Sequence, residues 1–292
     1  MTDALTAQVR SAAIQATQPD GNQIRAIEVA AVARLAEKML VSRRTVEIAA
    51  LQAGILPLRY GRNLNTYSLA EQLKLLRAHV AVIGLGGLGG AVSEALARVG
   101  VGCLTLVDGD HFCDHNLNRQ AFCTEADLGS SKAATAARRI RSLNGATEVT
   151  AHDGFLDADN AQEFIGEAQV VVDCLDNIPG RFTLQKAAGR RGIPLVSAAV
   201  GGEGGHLTVI LPGERALEQI YGSQDTRTTD KGAETTLGCL PHIVTAMANL
   251  EVAETLKLIT GRPPTLAGRL LLVDLASGLF ETVSLRPSKA KA

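Results

Sequence analysis

The sequence predicts an α/β fold: a Rossmann-like, mixed but mainly parallel sheet flanked by helices, with a small N-terminal helical appendage. Three observations predict it. Residues 80–83 are a short β-branched run, followed at once by Gly84-Leu85-Gly86-Gly87-Leu88-Gly89. A helical pattern then carries Val92, Ala95, Leu96 and Val99, and residues 103–107 form a second apolar run ending at Asp108. Strand, glycine turn and helix make a nucleotide-binding unit, because glycines permit the tight turn and leave helix N-terminal N–H groups facing an anion. Composition supplies the third observation: 46% of the 292 residues are hydrophobic but only 3% are aromatic. Such a core is built of Leu, Val, Ile and Ala, as in a parallel sheet covered by helices.

The bulk numbers narrow the function classes. Formal net charge is −1, so no general nucleic-acid field is expected. No apolar run approaches the roughly 20 residues that span a bilayer, and the N-terminus lacks the apolar core of a signal peptide. The expectation is a soluble, cytoplasmic protein without a membrane partner. The five cysteines, Cys103, Cys113, Cys123, Cys174 and Cys239, contain no C-x-x-C pair. Zinc-ribbon spacing is therefore missing, and the odd count argues against a disulfide framework.

In chain order, residues 1–22 are rich in Ala, Thr and Gln. From 24 to 53 the pattern is helical, and Val41-Ser42-Arg43-Arg44-Thr45-Val46 resembles the turn of a helix-turn-helix with Ser42 as N-cap. A DNA-binding head is one reading; a helical appendage packed on the body or a partner is favoured, since the basic surplus is small. Gly54-Ile55-Leu56-Pro57 marks the boundary between a segment over 1–56 and a second domain over 57–292. A helix over 69–76 leads to the first strand. Ser130 or Ser131 caps a helix that opens with Lys132 and runs through 143. Next are a strand over 148–153, a helix over 158–165 and a buried strand over 169–173. Then come a helix at 181–191, a strand at 194–197, a glycine cluster at 201–205 read as a tight connection, and a strand at 207–211. Residues 222–236 are polar and aperiodic, a mobile loop. One long helix over 237–259, entered through Cys239-Leu240-Pro241, precedes strands at 268–272 and 279–285 and a basic tail.

Glycine spacing alone suits NAD as well as ATP. The residues beyond the glycine loop favour ATP. Asp108 ends its strand, placed to accept from ribose hydroxyls. Asn116-Leu117-Asn118-Arg119-Gln120 occupies a polar loop. Lys132 sits in a first helical turn, where a cation is unfavourable unless an anion is near. Asp173-Cys174-Leu175-Asp176-Asn177 ends the third strand, on the edge where such sheets bind ligands. One of Asp173 and Asp176 serves as a cap, and Asp176 is assigned the chemistry.

Together these motifs resemble the ThiF/MoeB/HesA family, bacterial relatives of ubiquitin-activating enzymes. The resemblance rests on Gly84–Gly90, Val99-Gly100-Val101-Gly102, Asp108, Asn116–Gln120, Gly129-Ser130-Ser131-Lys132, Asp173–Asn177 and the opening Arg59-Tyr60-Gly61-Arg62. It implies ATP- and Mg²⁺-dependent adenylation of the C-terminal glycine of a ubiquitin-like sulfur-carrier protein ending in Gly-Gly, releasing pyrophosphate. It implies further that Gly84, Gly86, Gly87, Gly89, Asp108, Asp110, Gln120 and Asn177 line the nucleotide. Asn116, Arg119 and Lys132 would hold the triphosphate, and Asp176 would ligate the metal. Arg62 would reach into the neighbouring subunit of a homodimer, and a sulfur donor is a further possible partner. Family members with two C-x-x-C pairs bind zinc; this chain has neither pair, so no zinc is expected. Cys239 lies near the family's covalent cysteine, and a helix N-terminus lowers a thiol pKa; equally, it is a small residue beside Pro241. Two alternatives stay open: an ATP-dependent tRNA-modifying dehydratase of the same superfamily, and a nucleotide-sensing regulator with a helix-turn-helix head.

Overall fold

A computed structural model describes residues 2–18, 20–222, 232 and 234–285. The loop expected over 222–236 falls mostly outside these residues, and the basic tail lies wholly outside them. The chain begins with α1 (Thr2–Ala12), β1 (Ile14–Thr17), β2 (Gln23–Ile27), α2 (Val29–Met39), α3 (Arg43–Gln52), β3 (Leu56–Pro57), a 3-10 turn (Leu58–Asn63) and α4 (Leu69–Arg77). The body comprises β4 (His79–Ile83), α5 (Gly87–Val99), β5 (Cys103–Val107), α6 (Lys132–Leu143), β6 (Glu148–His152), α7 (Ala161–Ile165), β7 (Val170–Asp173) and α8 (Ile178–Arg191). It closes with β8 (Leu195–Gly201), β9 (Gly204–Ile210), α9 (Ala216–Tyr221), α10 (Glu234–Leu237), α11 (Pro241–Thr260), β10 (Arg269–Asp274) and β11 (Leu279–Ser284).

The large sheet has the order β11-β10-β9-β8-β7-β4-β5-β6. The five strands β6, β5, β4, β7 and β8 run parallel, and β9, β10 and β11 add antiparallel neighbours. From β4 the chain builds outward first through β5 and β6, then through β7 and β8. This reversal opens a crevice at the carboxyl ends of β4 and β7, where open α/β sheets bind ligands. Burial on both faces explains the unbroken apolar runs. Val80 and Val82 join the core with Leu96, Ile140 and Met247 of α5, α6 and α11. Ala81 and Ile83 join Phe164, Phe182 and Leu217 of α7, α8 and α9. Among the described residues no helix is long and apolar enough to cross a membrane.

The N-terminal part departs from the helical pattern expected over 24–53. The helix pair is present, and Ser42 caps α3 by accepting from the Thr45 amide at 3.2 Å. Residues 24–27, however, belong to β2 rather than to a helix, in a three-stranded sheet of β1, β2 and β3. Only Ala26 and Ile27 of that strand are buried. So short a half-buried strand has the same apolar spacing, Ile24 to Ile27, as one helical turn. Leu5, Val9, Ile27, Val32, Leu35, Val46 and Ile55 give this part its own core. The long helix expected from 237 is interrupted too: Gly238 has φ +77°, Cys239 bridges to Gly202, and α11 starts at Pro241. The glycine cluster is the tight β8–β9 connection, with Gly201 opposite Gly204.

Candidate active site

The glycine loop is held in place by contacts that exclude a side chain. Gly84 has φ +89°, and a Cβ there would lie 2.7 Å from the Cys174 carbonyl oxygen at the end of β7; one on Gly89 would lie 1.8 Å from the Gly84 carbonyl oxygen. Asp108 ties the loop to the end of β5, its carboxylate accepting from the Leu85 amide at 2.6 Å and the Asp110 amide at 2.8 Å. Burial pushes the Asp108 carboxyl upward, and those two N–H bonds and Lys132 oppose the shift.

Around this loop lies a cleft of about 360 Å³, lined by Gly84, Gly86, Gly87 and Asp108 from the strand ends and the start of α5. This volume falls within the usual range for small-molecule sites. Lys132 and Asp110 face each other in it, Nζ to Oδ2 3.0 Å, with the lysine side chain 7% exposed and the carboxylate 52%. Arg119 also lines the cleft; its guanidinium donates to the carbonyl of His115 and to Asn118 Oδ1, each at 2.8 Å. Gln120 lines it as well, and its buried Oε1 has no hydrogen-bond partner among the described residues. Asp176 and Asn177 close the β7 side. Asn177 is the helix cap, accepting from the Gly180 amide at 2.8 Å, so Asp176 remains an exposed carboxylate. Cys239 lines the opposite rim, where its carbonyl accepts from Asn118 at 3.2 Å.

Three expected residues lie elsewhere. Gly89 sits behind the loop, where its lack of a side chain lets the turn close. Asn116 is 2% exposed and outside the cleft lining; its Oδ1 accepts from the Cys113 amide at 3.1 Å, shaping the loop that carries Arg119. Arg62 lines a separate depression with Arg59, Leu56 and Thr17.

Of the lining residues that the sequence left unassigned, Phe155 and Arg181 carry the most chemistry. Phe155, after β6, is 68% exposed and reaches the cleft beside Gly109; a Cβ on Gly109 would lie 2.8 Å from its ring. A lone aromatic in a chain with only 3% aromatic residues was the available signal. Arg181 of α8 is buried, donating to Asp173 Oδ2 at 2.9 Å and to the Ala198 carbonyl at 2.7 Å. Burial works against its charge, but the Asp173 carboxylate holds it protonated. Asp173 also accepts from the Ser197 hydroxyl at 2.6 Å. Beneath them Glu251 is fully buried, and burial, followed by the neighbouring Asp173 charge, pushes its carboxyl far up, toward the neutral acid.

The cleft thus offers helix N-terminal amides, the cations Arg119 and Lys132 beside the buried Arg181, and the exposed Asp176 carboxylate, a set suited to a polyphosphate with a divalent ion. A profile of the ThiF family matches residues 60–292. The chain belongs to the ThiF family. Over 240 residues this ThiF-family chain is 37% identical to the adenylyltransferase and sulfurtransferase MOCS3 of Xenopus laevis, an alignment covering 80% of this chain and 52% of that protein. The chain therefore spans about half the length of that relative. It is 36% identical over 232 residues to the SAMP-activating enzyme E1 of Haloferax volcanii, covering 78% of this chain and 85% of that one. Among solved structures, E. coli MccB with ATP shares the ThiF fold at TM-score 0.65 and 21% identity, over 80% of this chain and 72% of that chain.

Proposed function

We propose that the protein adenylates the C-terminal glycine of a small ubiquitin-like sulfur-carrier protein, consuming ATP and releasing pyrophosphate. The observation that carries this reading is that Arg119, Lys132 and Asp176, far apart in sequence, line one cleft at the start of α5. Relatives named for adenylyl transfer and for activating SAMP support it, as does a fold shared with a protein solved with ATP.

In the reaction a carrier carboxylate oxygen bonds to the α-phosphorus, the bond to the bridging oxygen breaks, and pyrophosphate leaves with the electron pair. No side-chain nucleophile is required. Arg119 and Lys132 offset the charge that develops, and fixed N–H groups of the glycine loop do the same without reorganising. Lys132 exchanges its Asp110 partner for phosphate. Asp108 accepts from the ribose, and Phe155 covers the base. The exposed Asp176 carboxylate fits Mg²⁺, which needs only one or two protein carboxylates beside phosphate oxygens; the ion would supply Lewis-acid neutralisation there. Among the described residues no three His, Cys, Asp or Glu side chains gather into a metal cluster.

Arg62, exposed and away from its own cleft, suits a role in the partner subunit's cleft, which requires a homodimer. Cys239 on the cleft rim would take the acyl group from the adenylate, its sulfur bonding to the acyl carbon and AMP leaving, before a sulfur donor acts. The DNA-reading alternative is disfavoured by Arg44, which faces inward: it donates to the Leu76 carbonyl at 2.9 Å and to Glu148 at 3.0 Å.

The test incubates the protein with ATP and Gly-Gly-ending carriers, following pyrophosphate exchange and, by mass spectrometry, a carrier acyl-adenylate. Carrier-dependent exchange supports the reading. Exchange or ATP consumption that depends on tRNA instead replaces it.

A further inference from the structure

At the ends of α5 and α6 opposite the cleft, a buried polar network joins the N-terminal part to the body. Glu47 of α3 is 2% exposed and accepts from the Tyr60 hydroxyl at 2.9 Å; Arg59 Nε lies 3.7 Å from its other oxygen. Asn144, just past α6, donates to Tyr60 Oη at 3.0 Å and to the Ala97 carbonyl, in the last turn of α5, at 2.9 Å. Arg59 donates to the Asn144 side-chain oxygen. Asn63 and Gln72 reach the Val99 carbonyl of α5 at 3.0 and 2.9 Å. The ring of Tyr60 packs over Gly100, where a Cβ would lie 2.6 Å from it.

These bonds satisfy carbonyls that a helix C-terminus otherwise leaves unpaired. The geometry has a second consequence. One set of residues fixes the C-terminal ends of both helices, and both helices begin in the cleft, α5 at Gly87 and α6 at Lys132. At 1.5 Å rise per residue they are rods of roughly 20 Å, so a shift at one end is carried to the other. We infer that Glu47, Tyr60 and Asn144 are positioning residues for phosphate binding, aligning α5 and α6 so that the glycine loop and Lys132 address the same polyphosphate. This rests on the polyphosphate reading of the cleft.

The network carries a pH signature. Burial pushes the Glu47 carboxyl up to about 7, against the opposing pull of Arg59, the Tyr60 hydroxyl bond and Arg43 on its own helix; Asn144, from the α6 side, adds no charge. The folded protein therefore keeps a proton that the unfolded chain releases near the ordinary value of 4.5. Stability from this group is full below that value, declines as pH rises to about 7, and is level above. Nucleotide affinity should fall over the upper part of that window as Glu47 ionises in the network.

The test titrates the full chain with a non-hydrolysable ATP analogue between about pH 6 and about pH 8, comparing wild type, Glu47→Gln and Tyr60→Phe. Hydrogen exchange is followed at residues 87–90 and 132–135. Glu47→Gln is expected to flatten the part of the pH profile that the nucleotide's own titration does not explain. Tyr60→Phe should weaken binding by roughly tenfold, the scale of one lost hydrogen bond, and speed exchange at both helix starts. Wild-type affinity and pH slope retained in both variants would overturn the inference. Should Tyr60→Phe not fold, the Glu47→Gln profile decides alone. Should wild type bind no nucleotide, the cleft reading fails, and unchanged exchange at the helix starts in both variants then overturns the positioning role separately.

Discussion

Lys132 and Asp110 form an ion pair across the cleft, 3.0 Å from Nζ to Oδ2, with the cation buried and the carboxylate half exposed. A lysine opening a helix faces the positive end of the macrodipole, so without a ligand the Asp110 carboxylate supplies the missing anion. Because Asp110 is half in water, it can turn away from Lys132 at little cost.

Lys132→Ala should therefore lower pyrophosphate exchange by about 10²- to 10³-fold, the usual cost of one electrostatic stabiliser. Lys132→Arg should restore part of it. Exchange assays at saturating ATP check both.

Asp176→Ala should abolish exchange while leaving the thermal midpoint unchanged, because this carboxylate is exposed and Asn177 is the residue capping α8. Full exchange activity in the variant would remove Asp176 from the mechanism.

Arg181→Met should cost about 3–5 kcal/mol in urea unfolding, because it leaves Asp173 buried without its cation. Adding Asp173→Leu should recover much of that loss, since an apolar pair of similar volume removes the stranded charge.

Phe155→Ala should weaken nucleotide binding by about 1–3 kcal/mol, the scale of aromatic stacking on a base, with little change in stability. Calorimetric titration with ATP checks the first and thermal unfolding the second.

Much of the fold and cleft was legible in the sequence, for identifiable reasons. The strands β4, β5 and β7 lie between two helical layers, so their runs are continuously apolar and stand out. The glycine loop is legible because its backbone excludes side chains. The strands β1 and β2 were not legible: too short and half buried, they share their spacing with a helical turn. Asn116 had the right motif but an inward side chain, and its buried bond to the Cys113 amide is a tertiary fact. Arg181 read as one more helix residue because its partners, Asp173 and Ala198, come from two different strands. Phe155 stood alone in a loop, with nothing in its neighbours to mark it.

The closeness of Gly89 to the Gly84 carbonyl has an outcome for mutational tolerance. In a saturation library that position should return glycine alone, because the obstacle is backbone and has nowhere to go. Gly87, whose nearest obstacle is the side chain of Val244, should admit alanine once that valine is shortened. The two glycines look alike in the motif, yet only one of them is open to rescue at a second site.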